Sequence, residues 1–296
     1  MDRSRKSYIY AGLTVLFWST VPTAFKICLA EFDVLPALTI ASFTSAIALL
    51  IIIISLKKTR QLIFANRKDF FHSALFGFIN PFVYYLALLK AYSMLPGQVA
   101  QPVNMIWPIV LVFLSVPLLG QKIEKKSFIA LFISFVGILI ISSQGKLLRF
   151  GETNLTGILF AAGSSFLWSL YFILNLRDKR DESVKLFLSF LFGSLYLAVA
   201  MTITGQWSAI SGFRGTLSSM YIGLFEMGIS FFFWLKALQL ATTTDKVSNM
   251  VYAAPFLSLL FLHIIVKEPI YYTTPVGLFF IISGIFIQNR KTKSLA

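Results

Sequence analysis

Ten apolar runs, each close to 20 residues long, leave this 296-residue chain little freedom to fold in water. They fall at about 8–30, 34–55, 70–92, 97–119, 127–145, 155–175, 185–204, 216–240, 247–266 and 272–288. About 20 apolar residues is the length that carries a helix across a bilayer. A helix satisfies its own backbone hydrogen bonds, so it is the form such runs take in lipid. Only 13% of the residues are charged, where a soluble domain would carry about a quarter. The sequence therefore predicts an all-α polytopic membrane protein with ten transmembrane helices.

A net charge of +14 could signal a nucleic-acid partner, so the placement of the basic residues has to decide. With ten spans, alternate loops face alternate sides. One side collects nineteen Lys and Arg, including the clusters Arg3, Arg5, Lys6 and Lys57, Lys58, Arg60, Arg67, Lys68. The other side holds four, Lys146, Arg149, Arg214 and Lys267. The remaining three, Lys26, Lys90 and Lys236, lie inside spans. This asymmetry places both termini in the cytoplasm and the protein in the cell membrane. The lipid bilayer accounts for the charge, and no nucleic acid is needed. The first run is too long for a signal-peptide core and is read as retained. Cys28 is the only cysteine, so no internal disulfide is available.

The runs also repeat. Trp18-Ser19 recurs as Trp168-Ser169. Gly77, Asn80, Lys90 and Ala91 align with Gly223, Glu226, Lys236 and Ala237 at a constant offset of 146. Pro108, Gln121 and Gly137 align with Pro255, Glu268 and Gly284 at 147. The chain thus divides into 1–150 and 151–296, each with five spans. An odd number makes the second half enter the membrane from the opposite side, so the halves are expected to be inverted repeats. That symmetry places a solute site near the midplane and supplies two similar states open to opposite sides.

These residues resemble a known family. Phe17-Trp18-Ser19, Leu167-Trp168-Ser169 and the two proline-to-loop blocks, with Pro255 followed by Glu268 and Gly284, are similar to the EamA-type transporters of the drug/metabolite transporter superfamily. Phe225-Glu226-Met227-Gly228 followed by Trp234 resembles the aromatic amino-acid exporter branch. The resemblance implies transport of an amino acid or related metabolite, with export the direction. Two departures stand out. The family often has Glu where this chain has Gln121, and neither the first nor the sixth span carries the acid essential in the small multidrug branch. That branch's drug–proton antiport is not carried over.

Glu226 is the one acid at span depth, about 10 residues into the eighth span and so roughly 15 Å deep. A lone carboxylate there is costly to keep charged and is by default a candidate functional group. It suits a proton carrier or a counter-charge for a substrate ammonium; the plainer reading is a structural carboxyl bonded to a neighbouring helix. Ser230 and Phe233 share its face. Asn80, its repeat partner, is expected with Tyr84 and Tyr85 across the cavity. Gln101, Asn104 and Pro108 form one face of the fourth span beside Trp107, and Asn249, Tyr252 and Phe256 repeat the style in the ninth. Such amides either join helices or line a polar cavity. Trp168 is a candidate substrate contact and Trp18 a candidate gate, although both can equally be packing residues. Lys90 and Lys236 are candidate gates, although each can snorkel to the interface. Lys26 reads the same way, and His263 and His72 read as interfacial.

Enzymatic readings find no support. Aspartyl chemistry needs two buried acids, Ser164 or Ser165 with His263 lacks a nucleophile signature, and no spacing suits a metal or a phosphate loop. No cofactor is expected. The expectation is a secondary transporter working by alternating access on a small-molecule substrate, with protons as the candidate coupling ion. The alternatives are an uncoupled facilitator and a non-transporting membrane scaffold or lipid scramblase.

Overall fold

The computed structural model describes residues 3–63, 66–120, 125–145, 154–240 and 249–289. Most of these residues are helical, and there is no strand among them. The main helices are α1 (Arg3–Leu29), α2 (Val34–Ser55), α3 (Arg67–Met94), α4 (Gly97–Leu118), α5 (Lys125–Ser142), α6 (Leu155–Arg177) and α7 (Glu182–Thr204). They continue with α8, whose pieces run Phe213–Ile222, Gly223–Gly228 and Ile229–Leu240, then α9 (Ala254–Val266) and α10 (Thr273–Asn289). Seven are long and apolar enough to cross a membrane; the described apolar parts of α5, α9 and α10 are shorter. Every apolar run of the sequence thus corresponds to a helix.

Local chemistry sets the ends. Asn66 and Asp69 form a reciprocal capping box at the start of α3. Asn154 caps α6 through the Gly157 N–H, and Asp181 caps α7 through the Ser183 N–H. Gly205, with φ +65°, ends α7 in the left-handed conformation that glycine adopts without a Cβ clash.

The helices are held by close approach and by hydroxyls, as expected where lipid removes the hydrophobic drive between helices. Ser42 and Ser194 meet at 2.8 Å between α2 and α7, and Thr20 and Tyr221 at 2.6 Å between α1 and α8. Glycine contacts then repeat across the chain. A Cβ on Gly137 would strike Gly277 and Ile281, whereas one on Gly284 would strike Ala130 and Ser134. Gly137 with Gly284, Ala130 with Gly277, and Ser134 with Ile281 are all separated by 147 positions, so α5 and α10 cross by matching contacts. Gly77 in α3 presses on the Ser189 carbonyl of α7, and Gly223 in α8 on the Ala41 carbonyl of α2.

Both helices are irregular beside these glycines. In α3 the chain breaks at Asn80, whose φ −144° and ψ 117° leave the helical region before Pro81, whereas Gly223–Gly228 in α8 is a π-turn that begins at the glycine. Pro81 marks the first in the sequence; nothing marks the second. A π-turn inserts one residue into the hydrogen-bond ladder without altering composition, and such turns concentrate at functional sites.

Candidate functional site

The π-turn of α8 carries Glu226 to the wall of a cavity of about 110 Å³. With liquid water taking about 30 Å³ per molecule, it has room for a few waters or a small organic solute. Its lining comes from α1, α3, α4, α6 and α8, together with Val251 and Ala254 at the start of α9. Of the residues expected there, Trp18, Tyr84, Gln101, Asn104, Trp107, Trp168 and Glu226 line it.

Each polar group is fixed by a neighbouring helix. The Tyr85 hydroxyl donates to Glu226 Oε1 at 3.2 Å, the only hydrogen bond to this carboxylate among the described residues. Asn104 Nδ2 donates to Ser164 Oγ at 2.8 Å, tying α4 to α6. Ser258 of α9 donates to Gln101 Oε1. Ser169 donates to the Trp107 carbonyl at 2.8 Å. That bond sets the Trp107 backbone, at the start of the Trp107–Leu119 piece of α4, against α6.

The rings form a continuous chain around the polar groups. Trp107 and Trp168 have centroids 6.4 Å apart, Trp168 and Tyr84 5.2 Å, Trp168 and Phe231 5.5 Å, and Phe231 and Trp18 6.2 Å. Phe25 and Tyr92, at 4.9 Å, complete the wall towards one end. Phe25 and Tyr92 were not singled out in the sequence, where 31 Phe and 11 Tyr dilute any aromatic signal. Their spacing would have found them: Trp18, Pro22 and Phe25 share a face of α1, as Tyr84, Leu88 and Tyr92 do of α3.

Other expected residues lie away from the cavity. Asn80 is fully buried at the break in α3, outside the lining; neither its Oδ1 nor its Nδ2 makes a well-formed hydrogen bond, and the Tyr171 hydroxyl is its polar neighbour. Ser230 turns to the Phe225 carbonyl. Phe233 packs on Tyr10 and Phe17, at 5.4 and 6.4 Å. Lys90 is exposed, and Lys236 lies 5.7 Å over the Phe232 ring beside a separate pocket, so neither borders the cavity. The long lysine stem lets both heads leave the apolar interior. The side chains of Asn249 and Tyr252, and all of Gln121, lie outside the described residues.

Beyond Phe25 and Tyr92 a polar network spans that end. Lys26 Nζ donates to the Tyr92 and Leu95 carbonyls at 3.1 and 3.0 Å and stands 3.8 Å from Glu268 Oε1. Lys26 therefore meets a partner from the far half of the chain, where the sequence suggested an interfacial lysine. Glu268 in turn accepts from the Gly97 N–H at 3.0 Å at the start of α4, where the helix dipole favours a carboxylate. Gln98 extends the network to Thr274 at 2.9 Å.

A second ionic cluster joins α2, α3, α6 and α7. Arg180 grips Asp178 with Nε at 3.0 and 2.9 Å from its two oxygens, and it reaches Ser73 at 2.8 Å; Lys58 meets Asp181 at 2.6 Å. Burial works to raise the Asp178 carboxyl, but the hydrogen bonds and charge of Arg180 outweigh it and hold Asp178 below the usual range. Asp181 is lowered in the same way, burial being overcome by Lys58 and Ser183.

A cavity lined by amides, rings and one carboxylate within a helical membrane fold suits reversible solute binding. Among the described residues no His, Cys, Asp and Glu cluster could hold a metal. Known proteins agree on the class. A crystal structure 18% identical in sequence superimposes with a TM-score of 0.66 over 97% of each chain, which shows the fold alone. An uncharacterized transporter of Clostridium kluyveri is 25% identical over 305 residues, 98% of this chain and 96% of its own. The uncharacterized transporter YvbV of Bacillus subtilis is 23% identical over 300 residues, 99% and 94% of the two chains. Protein PecM of Dickeya dadantii is 23% identical over 216 residues, 71% of each. The EamA-like transporter family matches residues 5–143 and, separately, 155–290. With both halves matched, the chain belongs to the EamA-like transporter family and is a multi-pass membrane transporter.

Proposed function

We propose that the protein is a secondary transporter of the cell membrane that carries an amino acid or related small metabolite outwards by alternating access. In this reading ten spans form two inverted five-helix repeats, 1–150 and 151–296, with both termini cytoplasmic. The observation that carries it is the cavity, whose wall draws α1, α3 and α4 from one half and α6, α8 and α9 from the other. A site shared between repeats is exposed to either side when one repeat rocks against the other. The glycine contacts that recur at 147 positions support the two-fold relation. The Lys26–Glu268 network closes the extracellular end in this state, and it has to part for solute to leave. Glu226 is the coupling or substrate-amine group, and Trp18 with Trp168 shape the site.

A thermal-shift screen of the purified protein against amino acids and related amines identifies solutes, because a ligand of the folded state alone raises its apparent stability. Counterflow of those solutes in proteoliposomes then tests transport. Saturable counterflow supports the reading. Its absence for every stabilising solute contradicts it, and lipid scrambling in the same vesicles would replace it.

A further inference from the structure

Among the described residues that line the cavity, Glu226 is the only carboxyl group, and no Lys, Arg or His lines it with Glu226. Among the described residues Glu226 has the Tyr85 hydroxyl as its sole hydrogen bond and no ion pair. The nearest cation along α1, Lys26, follows cavity residue Phe25 and is engaged by Glu268 and two backbone carbonyls. The remaining polar groups are neutral, and Gln101 and Asn104 already spend one group each on Ser258 and Ser164. The rest of the wall is aromatic. Trp168 stands 6.4 Å from Trp107 and 5.5 Å from Phe231, and all three rings line the same cavity as the carboxylate, where a cation can meet an aromatic ring.

A ligand ammonium in this space would balance Glu226 and gain from the rings. The carboxylate of a zwitterion would find only neutral donors among the described lining residues, and a pure anion would face Glu226 uncompensated. We infer that the site selects a small net-cationic amine, an aromatic or alkyl ammonium without a carboxylate, over the amino acid of the same skeleton. This rests on reading the cavity as the transport site and narrows its substrate class.

The test uses three solutes that share one ring and differ only in charge: phenethylamine, phenylalanine and phenylpropionate. Each is titrated calorimetrically at neutral pH into the purified full-length protein. Phenethylamine should bind about tenfold or more tighter than either other probe, the scale of one hydrogen-bonded charge pair. Glu226→Gln should remove that preference, and Glu226→Asp, which keeps the charge, should retain it if the Gln variant fails to fold. Tighter binding of phenylalanine overturns the cation inference while leaving solute transport standing. Failure of all three to bind overturns it as well, and transport is then judged by counterflow alone. An unaltered preference in a folded Glu226→Gln protein removes the assigned role of the carboxylate.

Discussion

The irregular turns of α3 and α8 occupy repeat-equivalent places and differ in backbone and in chemistry: Asn80 leaves the helical region at φ −144° and ψ 117°, whereas Gly223–Gly228 stays a π-turn. Each has a glycine pressed onto a carbonyl of a helix from the other half, Gly77 on Ser189 and Gly223 on Ala41. Both hold a polar residue three positions later, Asn80 and Glu226. Asn80 is sealed in protein with no well-formed hydrogen bond, whereas Glu226 reaches the cavity and accepts from Tyr85. Repeat-equivalent places have therefore been given two uses. The α3 turn is a packing joint, and the α8 turn is a joint that also presents a charge.

The comparison breaks most easily at the glycines. Gly77→Val and Gly223→Val each push a side chain into backbone that cannot withdraw. Each should destabilise the protein by about 1–3 kcal/mol or more, read from thermal unfolding in detergent. Tolerance of one but not the other would mean the joints are not equivalent. The residue three positions later should split the turns in the opposite sense. Glu226→Gln should cut transport about tenfold or more, while Asn80→Ala leaves it near the native rate and changes stability by about 1 kcal/mol, because it removes an unsatisfied amide along with a little packing.

A smaller effect is expected at the Lys26 end. Glu268→Gln weakens a partly buried ion pair and two helix-end bonds, worth about 1–3 kcal/mol, and shifts the protein towards opening there. With Cys28 replaced by Ser, a cysteine at Val21 in the cavity should react faster with a membrane-impermeant maleimide in that variant. Unchanged labelling would remove the network from the gating account.

The smallest effect belongs to the Arg180 cluster. Asp178 and Asp181 are held below their ordinary values, so each contributes stability that is present above the unfolded carboxylate pKa of about 3.9 and is lost as pH falls below it. Asp181→Asn should cost within about 1 kcal/mol at neutral pH and flatten the acid limb of a melting-temperature profile. A steeper acid limb in the variant would contradict that sign.

Glu226 was legible because a carboxylate in an apolar run stands out against its surroundings. Trp18, Trp168, Gln101, Asn104 and Trp107 were legible because helical spacing and the internal repeat put polar and aromatic residues on one face. Asn80 lies outside the cavity lining for a physical reason. Its backbone leaves the helical region before Pro81, where Glu226 sits in a π-turn, so the repeat-equivalent positions do not aim their side chains alike. The Lys26–Glu268 pair joins residues from opposite halves, and no local pattern in either segment encodes such a contact. The π-turn of α8 escaped because a ladder shift leaves apolar periodicity almost unchanged over six residues, whereas Pro81 marked the break in α3.

The central claim is that solute passes the Glu226 turn and only leans on the Asn80 turn. Counterflow of one stabilising solute, measured side by side in proteoliposomes holding equal amounts of folded native, Glu226→Gln and Asn80→Ala protein, tests it directly. The account predicts saturable exchange for native and Asn80→Ala and its loss in Glu226→Gln. Exchange that survives in Glu226→Gln and vanishes in Asn80→Ala would contradict it.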